Sequence, residues 1–212
     1  MERRHTRILG LVAMLGGLFL VISAVPPGWY GIPDLDSYVF DPGVGTPLWI
    51  HRNVLPSLAV LGVLGIFLGI LGLVNRDWST AGRLRRWSGV AALIGLGGLV
   101  VTTPLLAFGT FGAAGTSSLT ALVGVALGFV SVLIITIALV VLGMSYLRTD
   151  RPQLGYALGG VVVVLPLVVY VAPDSMATFA ASLPVAIAVA IVGHDLYHRP
   201  EPLPRGGSNE TE

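Results

Sequence analysis

Apolar residues run along this chain in six long tracts, broken by short polar islands: 8–25, 54–74, 87–107, 119–147, 155–171 and 177–193. None of the six contains Asp, Glu, Lys, Arg or His. A helix rises 1.5 Å per residue, so about twenty apolar residues cross a hydrocarbon core of roughly 30 Å. The pattern predicts an all-α integral membrane bundle of six transmembrane helices. The fourth tract, at roughly 43 Å if straight, is expected to tilt or protrude. Residues 1–198 would form the transmembrane domain, with a loop at 26–53 outside the cytoplasm. Residues 199–212, rich in Pro, Gly, Ser and Glu, are expected to be a disordered cytoplasmic tail.

The polar islands set the sidedness. Arg3, Arg4 and Arg7 precede the first tract. Arg76, Arg83, Arg85 and Arg86 lie between the second and third, Arg148 and Arg151 between the fourth and fifth, and Arg199 and Arg205 after the sixth. Six crossings put all of these on one side and leave Arg52 on the other. The positive-inside rule then predicts N- and C-termini in the cytoplasm and residence in the cell membrane. The Trp and Tyr residues fall near tract ends: Trp29, Tyr30, Tyr38, Trp49 and Tyr170 on the outer side, Trp78, Trp87, Tyr146, Tyr156 and Tyr197 on the inner. This placement reads as two interfacial belts. The first tract has the basic start of a signal peptide, but Val25-Pro26-Pro27 disfavours cleavage after Ser23-Ala24. A retained anchor is expected.

Composition agrees with this picture: 54% of the 212 residues are hydrophobic and 11% charged, and the mean hydropathy is +0.86. A soluble domain carries about a quarter charged residues. No cysteine is present, so disulfides and thiolate chemistry are excluded. A net charge of +1, with arginines spread over membrane flanks, gives no nucleic-acid surface. All twelve basic residues are arginine. With the Gly/Ala/Val-rich spans and the acidic end at Asn209–Glu212, this composition resembles that of uncharacterised multi-pass membrane proteins of haloarchaeal type. The resemblance extends over the whole chain and implies a domain of unknown function.

Small residues recur at spacings of three and four. The second tract has Gly62, Gly65, Gly69 and Gly72; the third has Ser88, Ala91, Gly95, Gly98 and Thr102; the fourth has Ala121, Gly124, Gly128 and Ser131; the first has Gly10, Ala13 and Gly17. Lipid offers helices no hydrophobic drive to associate, so such seams mark close packing. They serve contacts within the bundle, or contacts with another membrane protein or a second copy. Pro56, Pro104, Pro166 and Pro184 lie in or at the ends of spans, where they can kink a helix.

Candidate chemistry is sparse. The spans offer only hydroxyls, including Ser23, Ser57, Thr136, Ser145, Thr178 and Ser182. Proton pumps, voltage sensors and most ion-coupled carriers need ionisable groups inside the bundle and are disfavoured. On the outer side, Asp34, Asp36, Asp41, His51 and Arg52 sit among aromatics, without the spacing of a calcium loop. On the inner side, His194 and His198 lie one helical turn apart and are the candidate metal ligands. His5, Asp77 and Asp150 share that side, but nothing in the sequence gathers them. No catalytic residue and no cofactor motif is identified. Three readings follow. The first is a non-enzymatic subunit or assembly factor acting through helix–helix contacts. The second is a small permease or channel for a neutral solute, and the third is a metal site or enzyme at His194/His198.

Overall fold

The computed structural model describes residues 3–30, 43–109 and 118–201. Asp34, Asp36, Asp41, Tyr38 and the tail from 202 onward lie outside the described residues. Among those described, the chain is helical without strands. The order is α1 (Arg3–Ser23), one turn α2 (Pro47–Trp49), α3 (Leu55–Asp77), α4 (Arg83–Gly109), α5 (Ser118–Leu147), α6 (Pro152–Val171) and α7 (Ala177–His198). Thr46 caps α2, accepting from the Trp49 amide at 3.3 Å, and a π-helical turn at Ile50–Val54 carries α2 into α3. Among the described residues, six helices are long and apolar enough to cross a membrane.

Several helices begin earlier or end later than the apolar tracts, most clearly at the arginine-rich end. There α3 runs on to Asp77, α6 starts at Pro152 and α7 continues to His198. An apolar tract ends where hydrocarbon ends, whereas backbone hydrogen bonding continues as long as side chains permit.

Neighbours in sequence are neighbours in space. The helices pack in the cyclic order α1, α3, α4, α5, α6, α7, and α7 returns to α1. The glycine seam of α3 faces α1: a Cβ added at Gly65 would lie 2.7 Å from Gly16 Cα, and one at Gly69 would lie 2.5 Å from Ala13 Cβ. Gly62 and Gly72 extend this contact toward Leu20 and Leu9. The opposite face of α1 meets α7 at Gly10 and Gly193. Gly95 and Gly98 seat Ser131 of α5, and Gly143 meets Gly155 across α5 and α6. The seams thus let backbones approach where lipid gives no other attraction. Gly62, Gly65, Gly69 and Gly72 are occupied within the chain.

Large apolar side chains face outward, among them Leu18, Ile94, Phe129, Ile137 and Leu167. Such a surface is matched by lipid and not by water. Around α6 the packing is uneven. Its buried residues are Leu154, Gly155, Ala157 and Leu158, all in its first half. A Cβ on Gly160 would meet nothing within 4 Å. Gly160→Ala should therefore stabilise the bundle by about 0.5–1 kcal/mol, the helix-interior difference between the two residues. A lowered denaturation midpoint in detergent would show that α6 is closely packed at this level.

Candidate functional site

Two features share the interior of the ring, one apolar and one ionic. The apolar one is a chamber of about 510 Å3 bounded by all six long helices. Ala13, Ile66, Leu96, Leu158 and Val189 represent its walls, and Thr136 is the one hydroxyl-bearing side chain among them. That hydroxyl donates to the Val132 carbonyl of its own helix at 2.7 Å. Ser23, Ser57, Ser145 and Ser182 likewise donate back into their own or the adjoining helical backbone. The wall therefore directs no free hydroxyl donor inward. A space of this size falls within the roughly 300–1,000 Å3 of small-molecule sites, and its lining suits an apolar guest.

Toward the arginine-rich end the helices carry a layer of fully buried leucines: Leu73, Leu142, Leu154 and Leu196. Beyond that layer lies the ionic feature. The Arg76 guanidinium, with its side chain 1% exposed, grips Asp77 by two bonds, Nε to Oδ1 at 2.8 Å and Nη2 to Oδ2 at 3.1 Å. Its Nη1 reaches Asp195 Oδ2 at 2.7 Å and the Arg199 carbonyl at 3.1 Å. Arg151, at the start of α6, donates to the same Asp195 Oδ2 at 3.0 Å and to the Glu201 carbonyl at 3.0 Å. Tyr146 of α5 donates its phenol proton to Asp77 Oδ2 at 2.7 Å. Arg85 of α4 lies 4.8 Å from the centre of the Tyr146 ring. At the exposed margin, Arg3 of α1 pairs with Glu201 at 2.8 Å.

Two arginines and two aspartates thus balance, and their contacts connect α3 to α7 at one end of the bundle. Neutrality is what permits their burial, because an unpaired ion in a dry interior costs several kcal/mol. Asp195 Oδ1 is buried without a hydrogen-bond partner among the described residues, so the network has one unused acceptor. Tyr146, expected as an interfacial anchor, is instead 1% exposed. Its ring fills the bundle because its hydroxyl finds a carboxylate there.

His194 and His198 stand on the outer side of the same turn of α7, both exposed, with ring centroids 4.3 Å apart. Tyr197 meets His198 edge-on at 5.1 Å. Asp195 between them points the other way, into the arginine network. Among the described residues, no group of three His, Asp or Glu side chains gathers in a way that could hold a metal ion. A closed transition-metal site takes about four ligands, so the two imidazoles would need others from outside the described residues. At the Thr102-Thr103-Pro104 break, Thr103 donates to the Leu99 carbonyl at 2.6 Å, tying the hydroxyl to its own helix.

No protein-family model matches the chain, and no curated protein or solved structure is significantly similar to it.

The ion network was not foreseen from the sequence. Its signal was present in Arg76-Asp77, one residue beyond an apolar tract, and in Asp195 between two histidines. These residues read as flank charges marking the inner side. Burial requires that opposite charges from distant segments meet, and that pairing depends on helix order and rotation.

Proposed function

We propose that this chain is a non-enzymatic, multi-pass protein of the cell membrane, with both termini in the cytoplasm, that accommodates an apolar molecule within its helical ring. This develops the neutral-solute reading of the sequence and narrows the solute to an apolar one. The observation that carries it is the chamber, bounded by six helices and lined almost wholly by aliphatic side chains. The arginine distribution supports the orientation. With buried leucines and an ion network toward the arginine-rich end, and the buried residues of α6 confined to its first half, entry from the membrane or its outer side is the route this reading favours.

Val161 and Ala188 lie on two different walls. Filling the space with Val161→Phe or Ala188→Phe should weaken binding of a fluorescent long-chain alcohol by about tenfold or more, the equivalent of about 1.4 kcal/mol. Fluorescence titration of purified protein checks this. Unchanged affinity in both variants, with the protein still folded, would remove the chamber from the account.

A second reading is a subunit or assembly factor acting through helix contacts. It draws support from α5, where Leu122, Val125, Phe129 and Ile137 form a broad exposed face. Crosslinking in native membranes through that face, without any bound apolar molecule, would favour this reading over the first.

A further inference from the structure

A second cavity lies at the corner where α3 turns into α4, beside a smaller one that shares Trp78, Ala81 and Arg86 with it and reaches Asp77 and Tyr146 of the ion network. It has a volume of about 430 Å3 and is lined by Trp78, Ala81, Arg83, Arg86, Trp87 and Val90. The Arg86 guanidinium sits 5.6 Å from the Trp78 ring centre and donates only a long 3.5 Å bond to the Ser79 carbonyl. Its Nε is buried without a hydrogen-bond partner, and Arg83 is exposed. Among the described residues neither arginine is paired with a carboxylate, whereas Arg76, a few residues away, is fully paired. The pocket is therefore lined by two guanidinium groups without a carboxylate partner among the described residues and by two indole rings. Below it, Trp87, Ile94 and Val101 recur every seven residues, and each is more than half exposed. That spacing places them on one face of α4, an apolar track leading away from the arginines.

We propose that this pocket binds the phosphate headgroup of an anionic membrane phospholipid, whose tails follow the Trp87–Ile94–Val101 face of α4. Guanidinium groups bind phosphate oxygens through charge-assisted hydrogen bonds, and indole rings settle at headgroup depth. The apolar track distinguishes a lipid from free phosphate, which would gain nothing from it. The proposal rests on the bundle lying in a membrane and is independent of any guest in the chamber.

The test is lipid retention by the whole protein, measured by native mass spectrometry after exchange with phosphatidylglycerol or phosphatidylcholine. The unaltered protein should prefer phosphatidylglycerol by roughly thirtyfold, from two arginines at the membrane surface. Arg83→Gln/Arg86→Gln should bring the ratio near one, while Arg83→Lys/Arg86→Lys should keep most of it. Arg7→Gln/Arg148→Gln, which removes two exposed charges from the same end without touching the pocket, should retain the preference. The proposal is overturned if the glutamine pair keeps the preference, or if the Arg7/Arg148 pair loses it equally, since general surface charge would then explain it. It is also overturned if inorganic phosphate alone displaces the lipid in an Arg83- and Arg86-dependent way, which would assign the pocket to a soluble anion. Preserved chamber binding in the glutamine pair would show that these variants fold and that the two sites fail or succeed separately.

Discussion

Replacing Asp195 by leucine should destabilise the bundle by about 3–5 kcal/mol, the cost of leaving a buried charge without its partner. Asp195 Oδ2 is shared by Arg76 and Arg151. When it is lost, Arg76 keeps its two bonds to Asp77, so the uncompensated charge is chiefly that of Arg151. Arg151→Met added to Asp195→Leu should therefore recover part of the loss, because the remaining Arg76–Asp77 pair is neutral. A double-mutant cycle should show a coupling of about 1 kcal/mol or more between the two sites. Asp150→Ala, at an exposed position beside the same network, should change stability by no more than about 0.5 kcal/mol. Equilibrium denaturation in mixed micelles measures all four. Equal effects of Asp195→Leu and Asp150→Ala would mean that water reaches the network and that it does not seal its end of the bundle.

The six helices were legible because lipid imposes a one-dimensional rule: a span must be apolar for as long as the hydrocarbon is thick. The glycine seams were legible for a related reason, since a three-four spacing on a helix fixes one face. Which helix met which seam was open, as was whether the contact lay within the chain. The backbone contact of Gly16 with Gly65 and that of Gly10 with Gly193 answer both for α1. The chamber could not be read at all. Its volume arises where side chains on six helices fail to meet, and no local pattern encodes a gap. The arginines divide into two kinds that sequence alone does not separate. Arg76 and Arg151 enter the protein because Asp77 and Asp195 are there to receive them, while the exposed Arg83 and half-buried Arg86 have no carboxylate partner among the described residues.

Gly10→Leu should be among the most damaging single changes, because it acts at a contact between backbones. A Cβ at Gly10 would lie 2.5 Å from the Gly193 carbonyl oxygen and 3.0 Å from the Tyr197 amide nitrogen. Neither atom belongs to a flexible side chain, so one helix must move away from the other. Even Gly10→Ala should cost about 1–3 kcal/mol, the usual penalty of overpacking. The leucine variant should cost more, as lipid supplies no compensating hydrophobic drive to hold separated helices together. The consequence reaches the chamber. Ala13 and Leu20 of α1 form part of its wall, and α1 is held between α3 and α7. Displacing α1 from α7 should loosen that wall and weaken retention of an apolar guest along with stability. Gly28→Ala, where a Cβ meets nothing within 4 Å, should leave both unchanged. Denaturation midpoints paired with the long-chain alcohol titration separate the outcomes. If Gly10→Ala matches the unaltered protein in both, the α1–α7 contact is looser than its backbone distances require, and α1 is not a fixed wall of the chamber.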